Sequence, residues 1–573
     1  MATEAESAVL NEKTAAAAPM NGAELMVDSL IRMGVTHVFT IIGLGMEPFG
    51  KAMFERRGEI TLSSHVNETN LSLAAQGYAR ESGRPAFCVV YHASGTALAM
   101  MSVTTAWSDR APFVLISATS SRTTKGRDQY AGIPRSPIEM STQYTKWSQD
   151  MATPERIPEF LARAGEIAAT PPMGPVHLSI PIDLFAEKLV RPIPRTDILK
   201  TENFAEVCAD EKGLQKAARM LVEARNPVIL CGSEVGQARA AKEMVAVAEA
   251  LGAPVITENA ASHLGFPTNH PQYAGMLNAY GELISKADVA LAVGFEFTEM
   301  GNLGDPPPLP PEIDVVNLSV DPQMLSKQVS PAIGLVGHAV PSLRRLAEIL
   351  TESPVPDDKK ANRLAVCSAC RDQRNEDVAE ARALSRQQSP MTQKQLLLEV
   401  QDTFDDKTIV IQAASTLGWL FDVYLEFEAP ENFHAVSGKA SAQGWGGPTA
   451  IGLQLASPDK RVIAILGDGN LMFSATSIWG AALQDLPIVY VVANNGGWVC
   501  VEQAMDGLTG EVTREASNEI GWTFGKAPID FVGFARSLSL EAERVESAEA
   551  FKACLEKALA SKKPWLIECA VAI

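Results

Sequence analysis

Residues 466–470, LGDGN, set a carboxylate inside a glycine-rich turn. The preceding RVIAI reads as a buried strand, and the following LMFSATSIWGAALQ reads as a helix. A turn of this kind favours anions, because free backbone amides point outward at the helix start. Asp468 would repel a phosphate unless a divalent cation stood between them. Magnesium takes oxygen ligands in an octahedron and is commonly held by a few protein groups together with phosphates. A second oxygen ligand is available nearby. The next strand-like run, PIVYVVAN, ends in NNGGW, and Asn495 follows Asp468 by 27 residues. That spacing suits one crossover of a parallel sheet, which sets both residues beyond the carboxyl ends of their strands. Asp-Gly and Asn-Gly are each ordinary turn dipeptides; their placement one crossover apart makes the pair specific.

The elements that must position these residues alternate along the whole chain. HVFTII, PAFCVVY, PFVLISA and GPVHLSIP are strand-like in the first part. NPVILCG, APVITEN, DVALAVG and DVVNLSV fall in the second, and KTIVIQA, RVIAILG, PIVYVVAN and PWLIECAVA in the third. Helical patterns separate many of them, which predicts an α/β protein of three doubly wound parallel-sheet domains. Proline-containing, charged stretches around LVRPIPRTDILK and TESPVPDDKKANR read as linkers. The expected divisions are a loose tail at 1–20 and domains at 21–190, 205–350 and 390–573. No short-period repeat is visible.

Composition narrows the function classes. The 573 residues are 46% hydrophobic and 20% charged, with a formal net charge of −19. That balance argues against a nucleic-acid surface. No apolar run is long enough to span a bilayer, and the Ala-rich start lacks the features of a signal or transit peptide, so a cytoplasmic protein with no membrane partner is expected. Eight cysteines are too few for a disulfide scaffold. Cys367 and Cys370 form a lone C-x-x-C, read as two thiols on one helical segment.

GDGN followed 24 residues later by NN resembles the motif of thiamine diphosphate enzymes. The resemblance extends over nearly the whole chain. RPAFCVVYHASGTALAMMSVTTAWSDRAPFVLISA, GPVHLSIPIDLF, FPTNHPQY and GWGGPTAIGLQLASPDKRVIAILGDG are similar to the corresponding parts of the benzoylformate decarboxylase and acetolactate synthase group, closest in pattern to the former. It implies pyrimidine-binding, central and diphosphate-binding domains, in a homodimer or homotetramer with active sites shared between chains. Carried over, Asp468, Asn495 and the Gly497 carbonyl hold Mg2+. Gly467, Gly469, Asn470, Ser415 and Thr416 lie near the diphosphate, and the Ser441 carbonyl meets the pyrimidine amino group. Gln443 stands where the family has a large apolar wedge, and its amide needs hydrogen-bond partners. In SSHVNETNLSLAAQGYAR, Glu68 matches the glutamate that activates the cofactor; without the resemblance it would be a solvated residue in a first helical turn. Some relatives bind FAD or ADP in the central domain, but the CGSEVG turn assigns neither.

The substrate pocket departs from the family pattern. Leu44, in TIIGLGMEPF, takes the place of a serine. Tyr91 aligns with an expected histidine, His92 is its neighbour, and the usual histidine before the glutamate is Asn67, with His65 two residues earlier. His270, in FPTNHP, matches a family histidine. Tyr91, His92 and His270 are therefore the candidate proton-handling groups beside Glu68, and Leu44, Met46, Phe49 and Trp498 suit an apolar or aromatic substituent. The resemblance implies decarboxylation of a small-molecule 2-keto acid through an enamine, released as an aldehyde or ligated to a second carbonyl. The alternative is a carboligase or C–C lyase acting on 2-hydroxy ketones or 2-hydroxyacyl-CoA.

Overall fold

The computed structural model describes residues 20–125, 127, 135–190, 206–259, 261–276, 281–298, 309–327, 329–436, 439–509 and 514–572. Most of the expected tail, and the centre of the first expected linker, lie outside these residues. Three six-stranded sheets are present among them, and every strand pairing is parallel. This is the doubly wound α/β architecture expected from the alternation.

The chain divides into two compact units. The first comprises residues 1–75, 84–107 and 111–203. Its strands are β1 (His37–Thr40), β2 (Thr61–Ser63), β3 (Ala86–Tyr91), β4 (Phe113–Thr119), β5 (Trp147–Asp150) and β6 (Val176–Pro181), in the order β2-β1-β3-β4-β6-β5. The inner strands β3, β4 and β6 are near-continuous apolar runs because a parallel sheet is covered on both faces. Helix Gly22–Arg32 opens with a capping box between Asn21 and Glu24 and turns Leu25, Met26 and Leu30 into the core. Met46 and Phe49 are fully buried, and Phe49 stacks on Phe185 at 5.6 Å. They serve the core rather than a substrate pocket, because the helix Glu47–Glu55 turns that face inward. His177 on β6 bridges the Ser117 and Ser141 hydroxyls, each at 2.7 Å.

The second unit comprises residues 76–83, 108–110 and 204–573. One of its sheets contains β7 (Pro227–Cys231), β8 (Val255–Thr257), β9 (Tyr273–Met276), β10 (Val289–Val293), β11 (Asp314–Ser319) and β12 (Ile333–Val336), ordered β12-β11-β10-β7-β8-β9. The other contains β13 (Thr408–Ala413), β14 (Phe433–Ala435), β15 (Arg461–Gly467), β16 (Val489–Asn494), β17 (Glu541–Val545) and β18 (Trp565–Ala570), ordered β14-β13-β15-β16-β18-β17. The stretch TESPVPDDKKANR, expected as a linker, instead leads into the long helix Asp357–Arg382. Two buried arginines fix it. Arg363 donates to the carbonyls of Leu251, Leu221 and Ala224, and Arg374 to those of Thr268, Val423 and Leu425. Cys367 lies on this helix, buried, with its thiol pushed up to about 12 by burial, which suits packing rather than redox chemistry.

A charged cluster is also buried in this unit. Arg80 pairs with Asp109 at 2.8 Å, with side-chain exposures of 1% and 0%. The Arg80 guanidinium donates to the carbonyls of Ser262 and Ala435 and lies 4.9 Å from the centre of the Trp445 ring. The bonds to Asp109, Ser262 and Ala435 offset the burial of this cation, while its Nε has no hydrogen-bond partner among the described residues.

Candidate active site

Three neighbouring strands of the last sheet end together. In the register Ala413 of β13 lies beside Leu466 of β15, and Gly467 lies beside Ala493 of β16. The chain therefore leaves the sheet at Ser415, Asp468 and Asn495 on the same edge. Asp468 is buried and ties two turns together. Its Oδ1 accepts from the Gly469 amide at 2.7 Å, and its Oδ2 accepts from Gly496 at 2.7 Å and Gly497 at 2.9 Å. Burial raises its pKa, opposed by these amides. The Asn495 Nδ2 donates to Thr416 Oγ1 at 3.4 Å, which brings in the short turn after β13.

The turns need their glycines. Gly497 has φ +149°, and a Cβ there would stand 2.4 Å from the Trp522 carbonyl oxygen. A Cβ on Gly469 would stand 2.8 Å from the Trp498 indole nitrogen. Trp498 thus packs on the Asp468 turn, with Phe524 at 5.0 Å and Phe473 at 6.5 Å on its other sides. The stretch expected as one helix after the turn is broken into Asp468–Met472, the 3-10 turn Ala475–Ile478 and Trp479–Leu483.

Gln443 finds the partner that its amide needs, since its Oε1 accepts from Asn470 Nδ2 at 2.9 Å. Ser441 has φ +45°, a left-handed conformation that a non-glycine residue holds only when its surroundings impose it. Ser415, Ser441, Gln443 and Asn470 line one cavity of about 260 Å³.

The first unit carries a separate group. Glu68 opens helix Glu68–Ser82, and Asn67 Oδ1 accepts from the Asn70 amide at 2.8 Å. Asn67 therefore caps this helix, a plain reason for asparagine where relatives have histidine. The Glu68 carboxylate lies against the backbone of Gly95, where a Cβ would stand 2.9 Å from Oε1. His65 is buried beside Ser63, and burial holds its pKa down to about 4. β3 ends at Tyr91, whose ring covers the backbone of Gly43. His92 follows with φ +53°, buried, its ring edge-on to Tyr91 at 4.0 Å. Burial lowers the His92 pKa, and its Nδ1 has no hydrogen-bond partner among the described residues. Leu44 is 65% exposed. Glu68, Tyr91, His92 and Leu44 thus all belong to this unit.

His270 belongs to neither group. It sits in the turn before β9, packed edge-on against Phe266, with Glu249 at 3.6 Å and the Gln272 amide donating to its Nδ1. It does not line the cavity at the strand ends. Conversely, Glu258, Tyr273 and Asp422 do line that cavity, and no motif in the sequence marks them. In the CGSEVG turn, Glu234 accepts from the Val320 amide and the Ser319 hydroxyl and pairs with Arg110 at 3.3 Å.

The donor set at Asp468, Asn495 and Gly497 is all oxygen, as a hard cation prefers. Nearby, Asn470 Oδ1 is buried with no hydrogen-bond partner among the described residues. This arrangement fits a diphosphate and its cation. Comparison with known families agrees on the class. Residues 20–141 match the N-terminal TPP binding domain of thiamine pyrophosphate enzymes, 214–346 their central domain and 414–569 their C-terminal TPP binding domain. The chain belongs to the thiamine pyrophosphate enzymes, a class of lyases and carboligases. Among relatives, a probable acetolactate synthase large subunit of Methanocaldococcus jannaschii is 28% identical, covering 96% of this chain and 92% of that one. A benzoylformate decarboxylase of Pseudomonas aeruginosa is 27% identical, over 94% and 96%. The structure of a 4-hydroxybenzoylformate decarboxylase from Rhodococcus jostii RHA1 superposes with a TM-score of 0.83 at 24% identity, over 96% of this chain and 99% of that one, which shows a shared fold. No helix among the described residues is long and apolar enough to cross a membrane.

Proposed function

We propose that this chain is a Mg2+-dependent decarboxylase of a 2-keto acid, resembling benzoylformate decarboxylase, that releases an aldehyde or ligates the product to a second carbonyl. The observation that carries the reading is the meeting of Asp468, Asn495 and Gly497 at adjoining strand ends. Thiamine diphosphate supplies the electron sink for breaking a bond next to a carbonyl. Asp468, the Asn495 side chain and the Gly497 carbonyl would hold the cation. Ser415, Thr416, Gly467, Gly469 and Asn470 would meet the diphosphate, while Ser441 and Gln443 would orient the rings. Glu68 would hold a proton at the pyrimidine. His92, neutral at pH 7 because burial lowers its pKa, would accept a proton in the pocket with Tyr91 beside it. The enzyme would act in the cytoplasm as a homodimer or homotetramer with shared sites.

A carboligase or C–C lyase is the second reading. It is favoured by the place of His270 outside the cavity and by Tyr91 standing where relatives have histidine. Such a reaction needs fewer protein proton carriers. Carbon dioxide release from benzoylformate and aliphatic 2-keto acids separates the two. Cleavage of benzoin or an acyl-CoA substrate without any release would sink the decarboxylase. Asp468→Ala should leave the protein folded but unable to retain thiamine diphosphate through gel filtration in the presence of Mg2+. Retention at the wild-type level would remove Asp468 from the site.

A further inference from the structure

Four neighbouring parallel strands of one sheet, β11, β10, β7 and β8, end on the same edge, and each is followed within three residues by an acid. These acids are Asp321, Glu296, Glu234 and Glu258. Arg110 reaches three of them, Glu234 at 3.3 Å, Glu296 at 3.4 Å and Asp321 at 3.5 Å. Glu258 accepts instead from Ser233 Oγ at 2.7 Å and from the Glu296 amide at 2.6 Å. One guanidinium leaves so many crowded carboxyl groups under-balanced, and burial raises the pKa of Glu234 and pushes that of Glu258 up to about 7. The second cation is Lys439, which pairs with Glu296. Burial and then Arg110 lower its pKa to about 8, against Glu258 and Asp109, so it is still charged at pH 7.

Lys439 belongs to a different part of the chain, the stretch that leads from β14 to helix Gly446–Ala456. Ser441 follows it by two residues and Gln443 by four. Gln443 is itself anchored, through Asn470 Nδ2 at 2.9 Å. A stretch of five residues is thus pinned at both ends, and its middle residue is Ser441, held at φ +45°. A strained backbone of this kind persists only where its surroundings over-determine it.

We propose that Lys439 is a positioning residue of the active site, whose ion pair with Glu296 pins residues 439–443 in the conformation that presents the Ser441 carbonyl and the Gln443 side chain to the cofactor rings. The proposal rests on the roles given above to Ser441 and Gln443 and adds the residue that sets them. Loss of the charge frees one end of the stretch. Ser441 then relaxes, because the left-handed region is unfavourable for a residue that carries a Cβ. The pair is partly withdrawn from water, with side-chain exposures of 27% and 15%, which strengthens it relative to a surface pair.

The test removes the charge and keeps the stem, so a packing role for the lysine predicts no change. In the full chain without cofactor, hydrogen exchange is measured at the amides of residues 440–443. Lys439→Met should speed it at least about fivefold, since one anchor is lost. In the holoenzyme the same variant should weaken the near-ultraviolet circular dichroism of bound thiamine diphosphate. It should also lower kcat on benzoylformate about tenfold, with KM within about twofold of wild type. Lys439→Arg keeps a cation and should restore all three readouts. Glu296→Gln should act like Lys439→Met, and the double variant should be no slower than Glu296→Gln alone, because both changes remove one interaction. Lys439→Gln serves the same purpose if Lys439→Met does not fold. Unchanged exchange in Lys439→Met, faster exchange with wild-type dichroism, or no restoration by Lys439→Arg overturns the proposal. If wild type does not turn over benzoylformate, the benzoylformate decarboxylase-like reading fails, and exchange and dichroism still decide the tether.

Discussion

Gly95→Ala perturbs the proposed activator without altering it. Gly95 is a buried residue of helix His92–Ser108, and a Cβ there would stand 2.9 Å from Glu68 Oε1, 3.2 Å from Cγ and 3.3 Å from Cδ. Heavy atoms in contact need about 3.5 Å. The whole carboxylate must therefore retreat by about 0.5 Å, because three of its side-chain atoms are crowded at once. A misplacement of about 1 Å costs about a hundredfold in rate, so half of that should cost about tenfold. The equivalent barrier is ~1.4 kcal/mol. Stability moves little, since replacing glycine by alanine inside a helix gains about 1 kcal/mol and offsets the crowding. The expected result is a tenfold fall in kcat, a Tm within a few degrees of wild type, and full cofactor content after gel filtration. Glu68→Gln sets the floor, with turnover abolished and cofactor retained. A Gly95→Ala enzyme that turns over at the wild-type rate would show that the placement of this carboxylate does not govern the reaction.

Two further outcomes concern the scaffold. Asp109→Asn leaves the buried Arg80 uncompensated, and should cost about 3 to 5 kcal/mol, seen as a large fall in Tm. The double change Arg80→Met with Asp109→Leu should recover much of that loss, and equal damage by both variants would contradict the argument. His177 gives a pH dependence: burial holds its pKa down to about 3 from an ordinary value of 6.5, despite Asp150 acting the other way. A lowered folded pKa means that the unfolded chain binds more protons between those values, so stability is present above pH 6.5 and is lost as pH falls below it. The slope approaches ~1.4 kcal/mol per pH unit from this residue. Thermal unfolding of wild type and His177→Gln between pH 7.5 and 5 should converge towards acid, and parallel curves would refute the assignment.

The sheets were legible because parallel strands such as PVILC and VALAV are apolar throughout, and the glycine turns between them mark where they end. Asp468 and Asn495 were legible because one crossover fixes their spacing. Their bonding was not, since it runs through the amides of Gly496 and Gly497, which any residue type would supply. Met46 and Phe49 looked like pocket residues because a short helix hides which face turns inward. The helix Asp357–Arg382 looked like a linker because its sequence is strongly charged. What holds it is two guanidinium groups on distant carbonyls, a contact that periodicity does not record. The cavity residues Glu258, Tyr273 and Asp422 were invisible for a similar reason, since they come from the turn after β8, the start of β9 and the short helix Phe421–Tyr424.

That long helix has a mechanical consequence. Arg363 is hooked to carbonyls at the ends of helices beside the β7–β12 sheet, and Arg374 to the Val423 and Leu425 carbonyls beside the β13–β18 sheet as well as to the Thr268 carbonyl before β9. Eleven residues of helix separate the two hooks, about 16 Å of rigid rod. The helix works as a strut with a clamp at each end, and a strut transmits rotation instead of absorbing it. These two sheets are therefore tied through one helix, so a rotation of one is passed on to the other.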